Sequence, residues 1–295
     1  MLRSFASVAA LALAACAAPG SLTVPQLPTE VADPGPRDRL RIVTYNLHWP
    51  RTDAAGRAPA LLAALREADA DIVAIQELGT WFGEALEESG FAEEGGYAAV
   101  HQGGETVAPH RLLLLSRFPI RATLVRKLAW GNSSVVIARL EVNGRLVSVA
   151  NVHLESRLQK KQVRVEQLKE VLALLGDDEA ILLGDFNFGD GDEPESSTLP
   201  PDFVDAWRAL KQGDPGLTWN REQNPWARAN SYDGEPSRRL DRILIRSTRI
   251  VPEEAGLLGV EPARVSRWRH ASDHFGLAAT VRDRGPALEL REAPR

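Results

Sequence analysis

Ile181-Leu182-Leu183-Gly184-Asp185-Phe186-Asn187 is the stretch from which the fold can be worked out. A short apolar run bounded by glycine reads as a buried strand, and it finishes on two polar residues. Burying such groups in a core without partners costs roughly 2–7 kcal/mol for the amide alone. They belong instead at a strand's carboxyl end, where a loop opens to solvent and ligands. Residues two apart on a strand share a face, so Asp185 and Asn187 are predicted to point the same way. A carboxylate that can take a proton, beside an amide that donates and accepts, suits holding and deprotonating a water molecule. A plain strand-end turn is the competing reading, because Asp and Asn are favoured turn residues.

The same arrangement recurs outward along the chain. Leu40 to Asn46 reads as a strand ending on Asn46, and Asp71 to Glu77 as another ending on Glu77. Val135–Val142 and Leu146–Val152 flank Asn143-Gly144, a two-residue hairpin signal, and the second arm runs into Asn151 and His153. Arg239 to Ile245 is a further strand, and Ser272-Asp273-His274 precedes a closing one. Ala60, Leu61, Leu65 and Ala68 recur at helical spacing, as do Val165, Leu168, Leu172 and Leu175, whose other face carries Lys160, Lys161, Arg164 and Lys169. Hairpins in places and strand–helix alternation in others predict an α/β fold of two packed mixed β-sheets with helices outside. No stretch between residues 40 and 282 has a linker's composition, so residues 39–282 are expected to be one domain. Repeated polar strand ends supply hard oxygen ligands, a base and neutral donors. Glu77 with the Asn46 amide suits Mg²⁺, which keeps waters and leans on substrate phosphate. No Cys/His cluster of zinc spacing is present.

Of 295 residues, 44% are hydrophobic and 25% charged, ordinary for a globular chain. A formal charge of −5 is not that of a protein gripping long polyanions non-specifically. The first residues read as an export signal: Arg3, then the apolar run Phe5–Ala15, too short for a bilayer span of about 20 residues. It ends Leu13-Ala14-Ala15-Cys16 on the chain's single cysteine, which resembles the lipobox of bacterial lipoproteins. The expectation is a signal peptide over 1–15, lipidation at Cys16 and a flexible tether over 16–38. A loose tail follows over 283–295, and the exported monomer sits on the outer membrane, touching it through the anchor alone. A mature domain without a cysteine pair must be stable without disulfides, which its size allows.

Thr44-Tyr-Asn46, Ile75-Gln-Glu77, Leu115-Ser-Arg-Phe-Pro119, Asn151-Val-His153, Gly184-Asp-Phe-Asn187, Arg239-Leu-Asp-Arg242 and Ser272-Asp-His274 together resemble the endonuclease/exonuclease/phosphatase superfamily, in that family's order. More narrowly, His153-Leu-Glu-Ser156, Thr218-Trp219 and Ser272-Asp-His-Phe-Gly276 resemble its 5′-tyrosyl-DNA phosphodiesterase branch. The resemblance implies a four-layer α/β sandwich and Mg²⁺-dependent phosphoester hydrolysis, with Mn²⁺ as a substitute. It implies metal binding at Glu77 with Asn46 and Asp273. Asp185 would activate the attacking water beside Asn187, His153 and His274 would contact the phosphate, and Asp241 would orient His274. Asn151, Ser156, Arg157 and Trp219 are expected to line the substrate path. That branch carries an arginine two residues past the serine; here Arg157 follows Ser156 directly and Leu158 takes the expected place. The expected substrate is a phosphodiester of nucleic acid, phospholipid or a small molecule. The alternatives are a surface nuclease, a sphingomyelinase-like lipid hydrolase, or a phosphate-binding module that has lost catalysis. Trp81, Phe82, Trp226 and Trp268 are candidates for an aromatic rim, and Arg157, Lys160, Lys161, Arg164, Arg238, Arg239 and Arg242 for phosphate contacts.

Overall fold

The computed structural model describes residues 26–101, 111–262 and 270–285. Its frame is two six-stranded sheets, with strands numbered in chain order. The first contains β1 (Arg39–Asn46), β2 (Ile72–Gln76), β3 (Ala98–His101), β4 (Leu113–Ser116), β11 (Ile250–Leu258) and β12 (Gly276–Asp283), in the spatial order β11-β12-β1-β2-β4-β3. The second contains β5 (Ile120–Lys127), β6 (Ser134–Val142), β7 (Arg145–His153), β8 (Ala180–Asp185), β9 (Val204–Asp205) and β10 (Asp241–Arg246), in the order β5-β6-β7-β8-β10-β9. Each sheet has one parallel pair at its centre, β1–β2 and β7–β8. The helices are α1 (Ala54–Ala68), α2 (Thr80–Glu88), α3 (Phe91–Glu94), α4 (Lys161–Leu175), α5 (Glu195–Thr198), α6 (Ala206–Leu210) and α7 (Pro225–Asn230).

The opening stretch shows why these layers form. Ile181 and Leu183 of β8 face the other sheet, packed with Ile42, Ala74, Val149 and Ile243. Leu182 faces the opposite way, onto Leu168 and Val171 of α4. A strand covered on both faces reads as a continuous apolar run, which is what the sequence has. On the outer face of the first sheet, Val43, Val73 and Ile75 meet Leu61 and Leu65 of α1 and Phe82 and Leu86 of α2. Each such side chain contributes about 1.5–3 kcal/mol on full burial. The result is the predicted order of helix, sheet, sheet, helix. Asn143 (φ 51°) and Gly144 (φ 75°) join β6 to β7 with positive φ at both central residues, as a type I′ turn requires.

A buried polar link crosses the apolar interface between the sheets. Asn151 on β7 accepts from Gln76 Nε2 at 2.7 Å and donates to the carbonyls of Ile75 and Leu113 at 3.0 and 2.9 Å. Its amide is thus fully engaged inside the protein, in contrast to the expectation that it lines the substrate path.

Residues 26–38, the described part of the expected tether, form no helix or strand yet lie against the domain. Leu27 is buried, the Pro28 carbonyl accepts from Ala99 N–H at 2.6 Å, and Arg37 pairs with Asp71. Asp283, first residue of the expected tail, ends β12 and holds Arg145 Nη2 at 2.6 Å. Cys16, the leader, Trp268 and residues 286–295 lie outside the described residues. Among the described residues no helix is long and apolar enough to cross a membrane.

Candidate active site

Strand pairing gathers the polar tips at one end of the sandwich. Asn46 ends β1, Glu77 follows β2, and His153 and Asp185 are paired at the ends of β7 and β8. Asp241 opens the antiparallel β10 directly opposite Asp185, and residues 272–274 lead into β12 beside β1. Carboxylates at opposed positions of neighbouring strands repel, and more so when buried. The pair is tolerated because an imidazole sits against both. His274 Nδ1 is 2.9 Å from Asp241 Oδ2, and its Nε2 is 3.7 Å from Asp185 Oδ2. His153 Nε2 lies 3.6 Å from the same Asp185 oxygen and 3.8 Å from Glu77 Oε1. Asn46 Nδ2 donates to Asp185 Oδ2 at 2.9 Å and reaches Glu77 Oε1 at 3.4 Å. Two carboxylates from different sheets therefore share one cleft with two histidines.

Supporting bonds fix this arrangement. Asp185 Oδ1 accepts the Asn187 N–H at 2.9 Å, and Asn187 Nδ2 donates to the Leu154 carbonyl at 2.9 Å. Asn187 (φ 55°) has left the strand conformation, so it steadies Asp185 through its backbone instead of pointing alongside it as predicted. Glu77 is also held at positive φ (55°), a conformation costing of order 1–3 kcal/mol that clusters at functional sites. Its Oε2 accepts from Trp49 N–H at 3.1 Å. Thr218 Oγ1 accepts from the N–H groups of Leu240 and Asp241, and Trp219 meets the His274 ring edge-on at 5.0 Å.

The charges follow from burial and these neighbours. Burial works against a charged His274, yet Asp241 and then Asp185 outweigh it and push its pKa up to about 10, so at neutral pH the ring is a cation and a donor. Burial raises the Asp241 carboxyl, with His274 opposing and Asp185 adding to the rise. Burial raises Glu77 as well, against the pull of His153 and with the Asp273 charge adding. Asp273 goes the other way: burial lifts it, but His48, His274 and Asn230 hold it well below the usual carboxylate range.

The donor set fits a divalent cation. Buried carboxylates concentrate in the cleft, and Glu77 is strained into place with its charge opposed by burial, a penalty that a cation relieves. The cluster Asp185–Asp241–His274, with ligating atoms within 4.8 Å of one another, has its His274 Nδ1 occupied by Asp241. Those three make a histidine couple facing a carboxylate, and Glu77 stands beside them, reached by His153 and Asn46. The His48 N–H can only donate, and it meets Asn46 Oδ1 at 3.0 Å, which turns Nδ2 toward the carboxylates. Asn46 Nδ2 thus orients Glu77 and Asp185, while Oδ1 accepts one hydrogen bond and keeps its second lone pair. Asp273 Oδ2 is likewise engaged, by Asn230 Nδ2 at 2.7 Å and His48 Nδ1 at 3.0 Å.

Ser156 and Arg157 are exposed before α4, and the Arg157 guanidinium has no protein partner among the described residues. The other expected phosphate-binding arginines are structural. Arg164 Nη2 pairs with Glu195 at 2.7 Å, Arg239 Nη2 with Asp190 and Asp205 at 2.6 and 2.8 Å, Arg242 Nη2 with Asp190 at 3.1 Å, and Arg238 with Glu235. Trp81, Phe82 and Trp226 are buried, not a rim. Two of them flank a residue that sequence reasoning missed. Arg57 lies 4.4 and 4.7 Å from the Trp81 and Trp226 ring centroids and donates to the carbonyls of Leu47, His48, Pro50, Thr52 and Ala271. It ties the loop after Asn46 to the loop before Asp273. His48 was also missed, although it follows Asn46 by the same two-residue step that flagged Asn187.

A family model matches residues 43–274, that of the Endonuclease/Exonuclease/phosphatase family. The chain belongs to this family. Its members are metal-dependent phosphoric ester hydrolases, and the gathered carboxylates and histidines are the equipment for that chemistry. Among relatives, tyrosyl-DNA phosphodiesterase 2 of Danio rerio is 31% identical over 157 residues, 50% of this chain and 41% of that protein. The Xenopus laevis protein of the same name is 26% identical over 249 residues, 80% of this chain and 64% of its own length. The chain thus spans less than two thirds of either relative. A D. rerio TDP2 solved with a single-strand DNA product superposes with a TM-score of 0.71 at 24% identity, covering 83% of this chain and 99% of that one. The human Nocturnin catalytic domain with bound sulfate gives 0.63 at 18%, covering 84% and 95%. Both share the two-sheet sandwich.

Proposed function

We propose that this protein is a Mg²⁺-dependent phosphodiesterase, with Mn²⁺ as a substitute, that cleaves a phosphodiester at a chain end or in a small molecule by in-line attack of water. The observation that carries this reading is the meeting of His153 and His274 on Asp185, at 3.6 and 3.7 Å, with Glu77 alongside. Glu77 would hold a divalent cation, which when bound would supply positive charge against the phosphate. Asp185, its second oxygen fixed by Asn187, takes the proton of the attacking water, a contribution of roughly 10²–10⁴ in rate for general-base catalysis. His274, kept cationic by Asp241, and His153 donate to the phosphate oxygens as they gain charge; one such donor is worth about 3–4 kcal/mol in comparable sites.

The arginines bear on the substrate. Arg164, Arg238, Arg239 and Arg242 are tied to carboxylates, which removes these four from any basic track along a long backbone. A terminal or single-stranded nucleic-acid phosphodiester fits that surface, and a TDP2 relative solved with a single-strand DNA product supports the choice. The sequence around Cys16 supports an exported, lipid-anchored protein, and loss of membrane association in Cys16→Ala tests it.

The test is hydrolysis of bis-p-nitrophenyl phosphate with Mg²⁺, abolished by EDTA and by Asp185→Asn or Glu77→Gln, both still folded. Turnover retained in both variants rules the scheme out. Single-stranded DNA and RNA, a 5′-tyrosyl oligonucleotide and sphingomyelin then separate the substrates. Preference for sphingomyelin would replace the nucleic-acid assignment.

A further inference from the structure

The loop after β1 carries a side chain that the reading above leaves unused. His48 sits at φ 58°, a backbone that is costly for any residue with a β-carbon. It is held there from several sides. Arg57 Nη2 donates to its carbonyl at 2.7 Å, its own N–H donates to Asn46 Oδ1, and its ring meets Trp226 edge-on at 4.6 Å. Its Nδ1 lies 3.0 Å from Asp273 Oδ2, the oxygen that Asn230 also holds. Its Nε2 has no protein partner among the described residues, and the side chain keeps 15% of its surface open. The next N–H along the chain, that of Trp49, donates to Glu77 Oε2 at 3.1 Å, which sets His48 beside that carboxylate.

A carboxylate on one ring nitrogen and nothing on the other is how metal-binding histidines are oriented, since the first bond fixes the tautomer and leaves a lone pair on the far nitrogen. We propose that His48 Nε2 binds the divalent cation of this centre, with Asp273 as the carboxylate behind it, so that the centre takes Mn²⁺ more tightly than Mg²⁺. This rests on the metal-dependent reading above. Mg²⁺ favours an all-oxygen octahedron, whereas transition ions accept imidazole. The assignment also gives Asp273, whose Oδ2 is already engaged twice, a supporting role behind the histidine.

The test uses the full chain, titrated calorimetrically with Mn²⁺ and separately with Mg²⁺, and pulsed EPR of the Mn²⁺-loaded protein. Wild type is expected to show the ¹⁴N modulation of a directly bound imidazole. His48→Gln should abolish it and weaken Mn²⁺ about 10–100-fold while Mg²⁺ changes by less than about threefold, and Asp273→Asn should weaken Mn²⁺ by a similar factor. His153 and His274 also stand in the cleft, so His153→Gln and His274→Gln should each keep the modulation; this assigns the nitrogen even if His48→Gln fails to fold. Modulation absent from wild type, or surviving in His48→Gln, overturns the proposal, as does equal weakening of both ions. A raised KM with unchanged Mn²⁺ affinity overturns it too, making His48 a phosphate contact. Mg²⁺-supported turnover without the ¹⁴N signal ends this assignment alone; absence of both cation binding and turnover ends the phosphodiesterase reading as well.

Discussion

Replacing Asp241 by Asn keeps the shape of the His274 couple and removes its charge. Asp241 and Asp185 both face the imidazole, at 2.9 and 3.7 Å, and together hold its pKa up to about 10 against burial. At an effective dielectric of about 20, a unit pair separated by about 4 Å is worth about 4 kcal/mol. That is about three pKa units at 1.36 kcal/mol each, so Asp241→Asn should bring His274 to about 7. The raised pKa also sets the sign of the stability effect. The couple's contribution is complete below the ordinary histidine value of about 6.5 and is lost as pH rises through about 10. Wild type should therefore hold its kcat through pH 9, whereas Asp241→Asn should lose activity above about pH 7, alongside a histidine NMR resonance titrating there. Urea unfolding should show wild type losing stability between pH 8 and 10, and the variant losing none in that window. An alkaline limb in the same place for both proteins would refute the argument.

Three further substitutions probe the frame. A β-carbon on Gly184 (φ 137°) would collide with the Val152 carbonyl oxygen, so Gly184→Ala should break the β7–β8 pairing and cost at least about 4 kcal/mol in chemical denaturation. Arg57→Met removes a buried cation and leaves five carbonyls without their donor; a loss of about 3–5 kcal/mol is expected, seen as a lowered urea midpoint. Asn151→Ala should cost about 2–4 kcal/mol with little change in KM, since the amide holds the sheets together; a KM effect with intact stability would restore it to the substrate path.

The frame was legible because strand and helix faces write themselves into local pattern. The two-sided burial of β8, the Asn143-Gly144 turn and the polar strand ends each follow from residues close in sequence, and pairing then brought Glu77, His153, Asp185, Asp241 and His274 together. What escaped depends on partners far along the chain. Arg239 looks free until Asp190 and Asp205 are seen beside it, and Arg164 sits among lysines as a candidate phosphate contact until Glu195 is seen across its path. Arg57 lies in an alanine-rich helix start, where nothing local announces that five carbonyls from two loops will close around it. Trp81 and Trp226 misled for the same reason, because they were needed as walls for that guanidinium.

The bridge between Gln76 and Asn151 has a consequence for precision. Greasy surfaces adhere without caring where they lie, so two sheets joined by methyl groups alone could slip sideways at small expense. Glu77 rides on one slab and Asp185 on the other, and a lateral error of one ångström would spoil their alignment. The buried amides beneath them act as a dowel, a directional tie that holds the two slabs at one offset.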